Sequence, residues 1–120
     1  MHRTAVKLID RLASEGLWSD ASIYVRNDRY TSEKPSAASE PIRTRKKSEY
    51  YVEHGVDVLK IAEHADPKTL TIVFEGPLYE RLNHAPDGPD FLYGLSERYL
   101  HDYGLYLDML NPFTAAAYHV

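Results

Sequence analysis

Two stretches of the chain repeat one arrangement of apolar and polar positions. Leu12-Ala13-Ser14-Glu15-Gly16-Leu17-Trp18 and Leu100-His101-Asp102-Tyr103-Gly104-Leu105-Tyr106 both run leucine, three residues, glycine, leucine, aromatic. In each, a helical pattern stops at a glycine, where positive φ carries no Cβ penalty, and the next leucine can fold back on the one five residues earlier. Each phrase leads into a strand-like run. The pattern predicts a helix docked and turned into a sheet, twice.

Upstream of the first phrase, Ala5, Leu8, Ile9 and Leu12 form one helical stripe, with Lys7, Asp10, Arg11 and Ser14 outside it. Thr4 is the expected N-cap and Gly16 the stop. Residues 21–26 alternate Ala21/Ile23/Val25 against Ser22/Tyr24/Arg26, a half-buried strand that ends there or runs on to Tyr30. From Ser32 to about Ser48 periodicity disappears, and Pro35, Pro41, serines and cations predict a long, flexible polar loop over 32–47.

A meander is expected next: a strand over 49–53, a turn at His54-Gly55, a strand over 56–63, a turn at 65–68 and a strand over 69–75. In the last, Leu70, Ile72 and Phe74 are expected inward and Thr71 and Glu75 outward. Gly76-Pro77 can open a short helix over 78–83. A longer helix from Pro89 or Asp90 to Gly104 would face Leu92, Leu95, Tyr99 and Tyr103 inward. Leu105/Leu107/Met109 and residues 113–120 predict a closing hairpin around Asn111-Pro112. The order α-β-loop-β-β-β-α-α-β-β predicts an α+β fold: a mainly antiparallel sheet of about five or six strands, with two or three helices on one face.

At 120 residues the chain fits a single domain. A mean hydropathy of −0.47 and the lack of a long apolar run argue against a membrane span. No basic-then-apolar leader opens the chain, and with no cysteine it has neither a disulfide frame nor a thiolate ligand, which fits a cytoplasmic protein. The net charge of −4 argues against nucleic-acid binding by the surface as a whole. Charge is uneven, however. Residues 33–47 hold five cations against two carboxylates, a local balance of +3 that leaves −7 on the rest.

Catalytic signatures are missing: there is no nucleophile elbow, phosphate-binding glycine loop, dinucleotide fingerprint or H-E-x-x-H. Glu53-His54 and Glu63-His64 repeat a metal-compatible pair, yet on an extended strand the two histidines would stand roughly 33 Å apart. Glu97 and His101 lie one helical turn apart beside Asp102, the spacing of an ordinary surface pair. Asp87-Gly88-Pro89-Asp90 lacks the oxygens of a calcium loop, and Gly76-Pro77 suits a helix cap as well as an anion. No catalytic residue, metal ligand or cofactor is assigned.

The candidate binding residues are Arg43, Arg45, Lys46 and Lys47, followed by Tyr50 and Tyr51, with Tyr24 and Tyr106 on the tyrosine-bearing surface. Arginine grips phosphate or carboxylate bidentately, and a neighbouring ring can stack on a base or a peptide. On a strand, Arg43, Arg45 and Lys47 would share one face; the competing reading is a solvated edge whose charges block aggregation. Ten tyrosines suit a binding surface, although half-buried strands also favour them. The expected function is therefore a small, non-enzymatic interaction protein, of the type that phages or mobile elements use to inhibit a host protein. Its alternative is a binder of a nucleotide-like or other anionic small molecule through residues 43–47 and the tyrosines. The uncharged run 113–120 suggests a homodimer unless it pairs inside its own sheet.

Overall fold

The computed structural model describes residues 1–36 and 40–120. Its elements are α1 (His2–Ser14), β1 (Ala21–Val25), β2 (Asp28–Thr31), β3 (Ile42–Arg43), β4 (Glu49–His54), β5 (Leu70–Phe74), α2 (Gly76–Asn83), α3 (Gly88–Tyr99), β6 (Leu105–Asn111) and β7 (Thr114–His119). Single 3-10 turns occupy Val58–Lys60 and His101–Tyr103. The fold is α+β. All seven strands form one antiparallel sheet in the order β3-β4-β2-β1-β5-β7-β6.

Both copies of the repeated phrase close as expected. The Leu17 amide reaches the Leu12 carbonyl at 2.8 Å and the Gly16 amide the Ala13 carbonyl at 3.1 Å, with Gly16 at φ +69°. The second copy matches it: Leu105 to Leu100 at 3.2 Å, Gly104 to His101 at 2.9 Å, and φ +69° again. All four leucines are buried. Each glycine thus satisfies carbonyls at a helix end while tucking a leucine under the sheet.

One face of the sheet packs against α1, α2 and α3. Leu8, Ile9 and Leu12 from α1, Leu78 from α2, and Phe91 and Leu95 from α3 meet Ile23, Ile72, Phe74, Leu107 and Ala115. The opposite face is covered too. Val58, Ala62 and Ala65 lie over Tyr24 and Ala116, and the Tyr118 hydroxyl donates to the His64 carbonyl at 2.9 Å.

That second layer overturns the expected strand over 56–63. The Asp57 side chain accepts the Leu59 amide at 3.0 Å, an Asx turn that bends the chain, and Val58 then anchors it on the sheet. It also explains why Tyr24 is buried and Thr71 only 1% exposed, where alternation had placed Ser22, Tyr24 and Thr71 outward; Ser22 is buried as well, its hydroxyl accepting Arg29 Nε at 3.1 Å.

The strand count rises from five or six to seven for two reasons. Arg26-Asn27 closes a two-residue loop with Arg26 at φ +56°, so the run to Tyr30 is a hairpin and not one strand. Ile42–Arg43 adds a short edge on β4. The expected flexible loop over 32–47 includes residues 37–39, which lie outside the described residues; among the others, Pro35 is buried and residues 42–48 form a hairpin.

Three smaller corrections follow from hydrogen bonding. Thr4 is buried inside α1, because the helix starts at His2 and the Met1 carbonyl accepts the Ala5 amide at 2.9 Å. α3 stops at Tyr99, and the 3-10 turn rotates Tyr103 out to 53% exposure. The run 113–120 is no free edge, since β7 lies between β5 and β6. The ground for expecting a homodimer is thereby met within the chain.

Candidate functional site

The basic segment is a hairpin tip. The strand ends at Arg43, the Thr44 amide donates to the Ser48 carbonyl at 2.8 Å, and the Lys47 amide returns to the Thr44 carbonyl at 2.9 Å. Lys47 adopts φ +68°. This turn breaks the strand alternation that was expected to align Arg43, Arg45 and Lys47 on one face. Arg43 pairs with Glu49, its cross-strand neighbour. Arg45 and Lys47 are exposed.

Lys46 points elsewhere. It lines a groove of about 600 Å³ together with Lys7, Asp10, Arg11 and Ser14 of α1 and Arg98 and Tyr99 of α3. The α1 residues fall at i, i+3, i+4 and i+7, one polar face of the helix. Thr44 fixes the hairpin to that face, its hydroxyl donating to Asp10 Oδ1 at 2.5 Å and accepting the Ser48 amide at 3.1 Å.

Four cations therefore converge from three elements, with one carboxylate among them. Arg11 is paired with Glu15, and that hydrogen bond first, then one with Tyr99, holds its guanidinium pKa above the ordinary value. Arg98 stands 5.8 Å from the Tyr99 ring centroid. Among the described residues, Lys7, Lys46 and Arg98 have no carboxylate within ion-pair distance. Cations that line one groove without carboxylate partners repel one another and favour an anion between them. The volume falls within the usual range for small-molecule clefts, roughly 300–1,000 Å³.

No family model matches the chain, and neither a curated protein nor a solved structure does. The groove must be interpreted from its own chemistry.

The tyrosines expected beside the basic segment are dispersed. Tyr50 is buried, its ring edge-on to Tyr30 at 5.7 Å, and Trp18 Nε1 donates to the neighbouring Glu49 carbonyl at 3.0 Å. Tyr51 is half-buried on the opposite side of β4. Tyr24 is buried under the Val58 layer, and Tyr106 is 42% exposed on β6. Burial raises the hydroxyl pKa of both Tyr24 and Tyr50. Of the candidate residues only Lys46 reaches the groove, where Tyr99 supplies the ring.

Lys7, Arg11 and Arg98 were missed because each looked like an ordinary surface residue of an amphipathic helix, and Tyr99 because it was expected inward, whereas it is half-buried. The signal lay in the second periodicity: Lys7, Asp10, Arg11 and Ser14 share a face just as Ala5, Leu8, Ile9 and Leu12 do. The other polar pairs stay separate. His54 bonds Asp28 at 2.7 Å, His64 lies 3.4 Å from Glu63, and His101 lies 3.6 Å from Glu97, all on the surface.

Proposed function

We propose that this chain is a non-enzymatic binding protein that captures a phosphate- or carboxylate-bearing ligand in the groove between α1, α3 and the 44–47 turn. The observation that carries this reading is the convergence of Lys7, Arg11, Lys46 and Arg98 around Tyr99, with Asp10 already engaged by Thr44. Arg98 offers a planar fork for two anion oxygens, while Lys7 and Lys46 act as point charges on either side. Tyr99 gives an organic anion a flat surface to lie against. The anion belongs to a small molecule such as a nucleotide, or to an acidic patch on a protein that this chain would thereby occupy. Both sources share the chemistry and differ in size.

The test is a titration with inorganic phosphate, a nucleoside monophosphate and a polyglutamate peptide, run on the parent and on Lys46→Glu/Arg98→Glu. Binding of at least one probe by the parent, lost in a variant that still folds, supports the reading. Lys46 lies on an exposed turn, where a charge change moves stability by less than about 0.5 kcal/mol, and reversing Arg98 in the last turn of α3 adds a helix-dipole cost of about 0.3–1 kcal/mol, which leaves the fold intact. Phosphate or nucleotide alone points to a small molecule; polyglutamate alone points to a protein. Equal binding by parent and variant, or no binding at all, overturns it.

A further inference from the structure

α3 divides two grooves of opposite character. On the flank away from Arg98 and Tyr99, a second groove of about 710 Å³ runs between α3, the end of α2 and β6. Leu82, Leu92, Met109 and Pro112 make its apolar wall, and Tyr93 stands over it at 66% exposure. Its lining includes two acidic residues, Glu97 and Asp108, the latter at the β6 rim on the Tyr118 side of the strand, and no cation among the described residues. The stretch 88–111 holds Asp90, Glu97, Asp102 and Asp108 against a single Arg98, which turns into the other groove.

β6 ends the sheet, but it is not open to strand addition along its length. Ser96 Oγ accepts the Leu107 amide at 2.9 Å, and the Leu105 amide is taken by the Leu100 carbonyl at 3.2 Å. α3 thus covers the first half of the edge, the protection that exposed strands need. An occupant must enter the groove by its side chains. Apolar walls want an aliphatic or aromatic side chain, and two acidic residues with no lysine or arginine partner, Glu97 meeting only the exposed His101, want a cation beside it. An anion is disfavoured by the same charges, and α3 blocks edge-to-edge pairing of a second copy over residues 105–107.

We propose that this groove docks a segment of a partner protein in which an aliphatic or aromatic side chain is flanked by lysine or arginine. The proposal stands independently of the anion groove, with which it shares no lining residue.

Three short labelled peptides test it by fluorescence polarisation: two leucines flanked by lysines, the same leucines flanked by glutamates, and the lysines with serine in place of leucine. The lysine–leucine peptide is expected to bind in preference to both others. Tyr93→Ala and Glu97→Lys/Asp108→Lys should each weaken it by about tenfold or more, with circular dichroism unchanged. Equal binding of the lysine and glutamate peptides overturns the proposal, as does equal binding of the leucine-free peptide. So does binding that survives both variants, or none at millimolar protein. Concentration-dependent dimerisation abolished by Tyr93→Ala would assign the groove to a second copy and equally overturn it.

Discussion

Thr44 donates its hydroxyl to Asp10 Oδ1 at 2.5 Å, across 34 residues of sequence, and so ties a hairpin tip to the first helix. Without that bond Lys46 would belong to a loop; with it, Lys46 belongs to a groove. The same hydroxyl accepts the Ser48 amide at 3.1 Å, so one side chain both shapes the turn and docks it.

Thr44→Val should accordingly lower stability by about 2 kcal/mol, because it removes two partly exposed hydrogen bonds, one of them to a carboxylate. It should also weaken anion binding without abolishing it, because Lys7, Arg11 and Arg98 remain. Denaturant unfolding and calorimetric titration on the same samples check both halves. Full parental affinity in Thr44→Val would mean that the hairpin does not position Lys46.

Gly16 and Gly104 have open space where a Cβ would stand, yet both sit at φ +69°. Alanine at either position meets no neighbour and bears only the left-handed backbone cost, about 1–2 kcal/mol. The two variants should therefore lose similar stability, read from the denaturant midpoint at constant slope. A loss at one site and none at the other would contradict the equivalence of the two caps.

These caps mark where sequence was most legible. Leucine–glycine–leucine spacing is local physics, set by one φ angle and one burial contact, and it survives folding unchanged. The inward set Leu70, Ile72 and Phe74 was legible for the same reason, whereas Thr71, expected outward, is covered by the second layer. Residues 56–63 were not, because Val56 and Val58 alternate like a strand while Asp57 supplies an Asx turn, and the choice was made by the apolar face of Tyr24 and Ala116 waiting beneath. The groove was half legible. Its basic hairpin stood out as a charge run, but Lys7, Arg11 and Arg98 join it only through packing of α1 against α3, which no local pattern announces.

Tyr24, Tyr30 and Tyr50 carry raised hydroxyl pKa values, in each case chiefly through burial. A phenol whose folded pKa exceeds its unfolded one stabilises the fold fully below the unfolded value, near 10, and that contribution disappears as pH climbs through the folded value. Stability should thus be flat up to about pH 10 and fall above it. Ultraviolet titration should show a group of tyrosines that ionises only together with unfolding. If every tyrosine ionises in one reversible step while the far-ultraviolet dichroism stays native, the buried assignments are wrong.

The most direct test of the central claim is a nitrogen-15 amide titration with inorganic pyrophosphate at low salt. Progressive shifts are predicted at Lys7, Arg11, Lys46, Arg98 and Tyr99, in three separate elements of the chain, with little change at Tyr51 or along β6. The shifts should shrink as sodium chloride is raised, because exposed charges are screened over about 8–10 Å near physiological ionic strength. Shifts confined to Arg43, Arg45 and Lys47 at the hairpin tip, or none in any of the three elements, would contradict a cationic groove built between α1, α3 and the 44–47 turn.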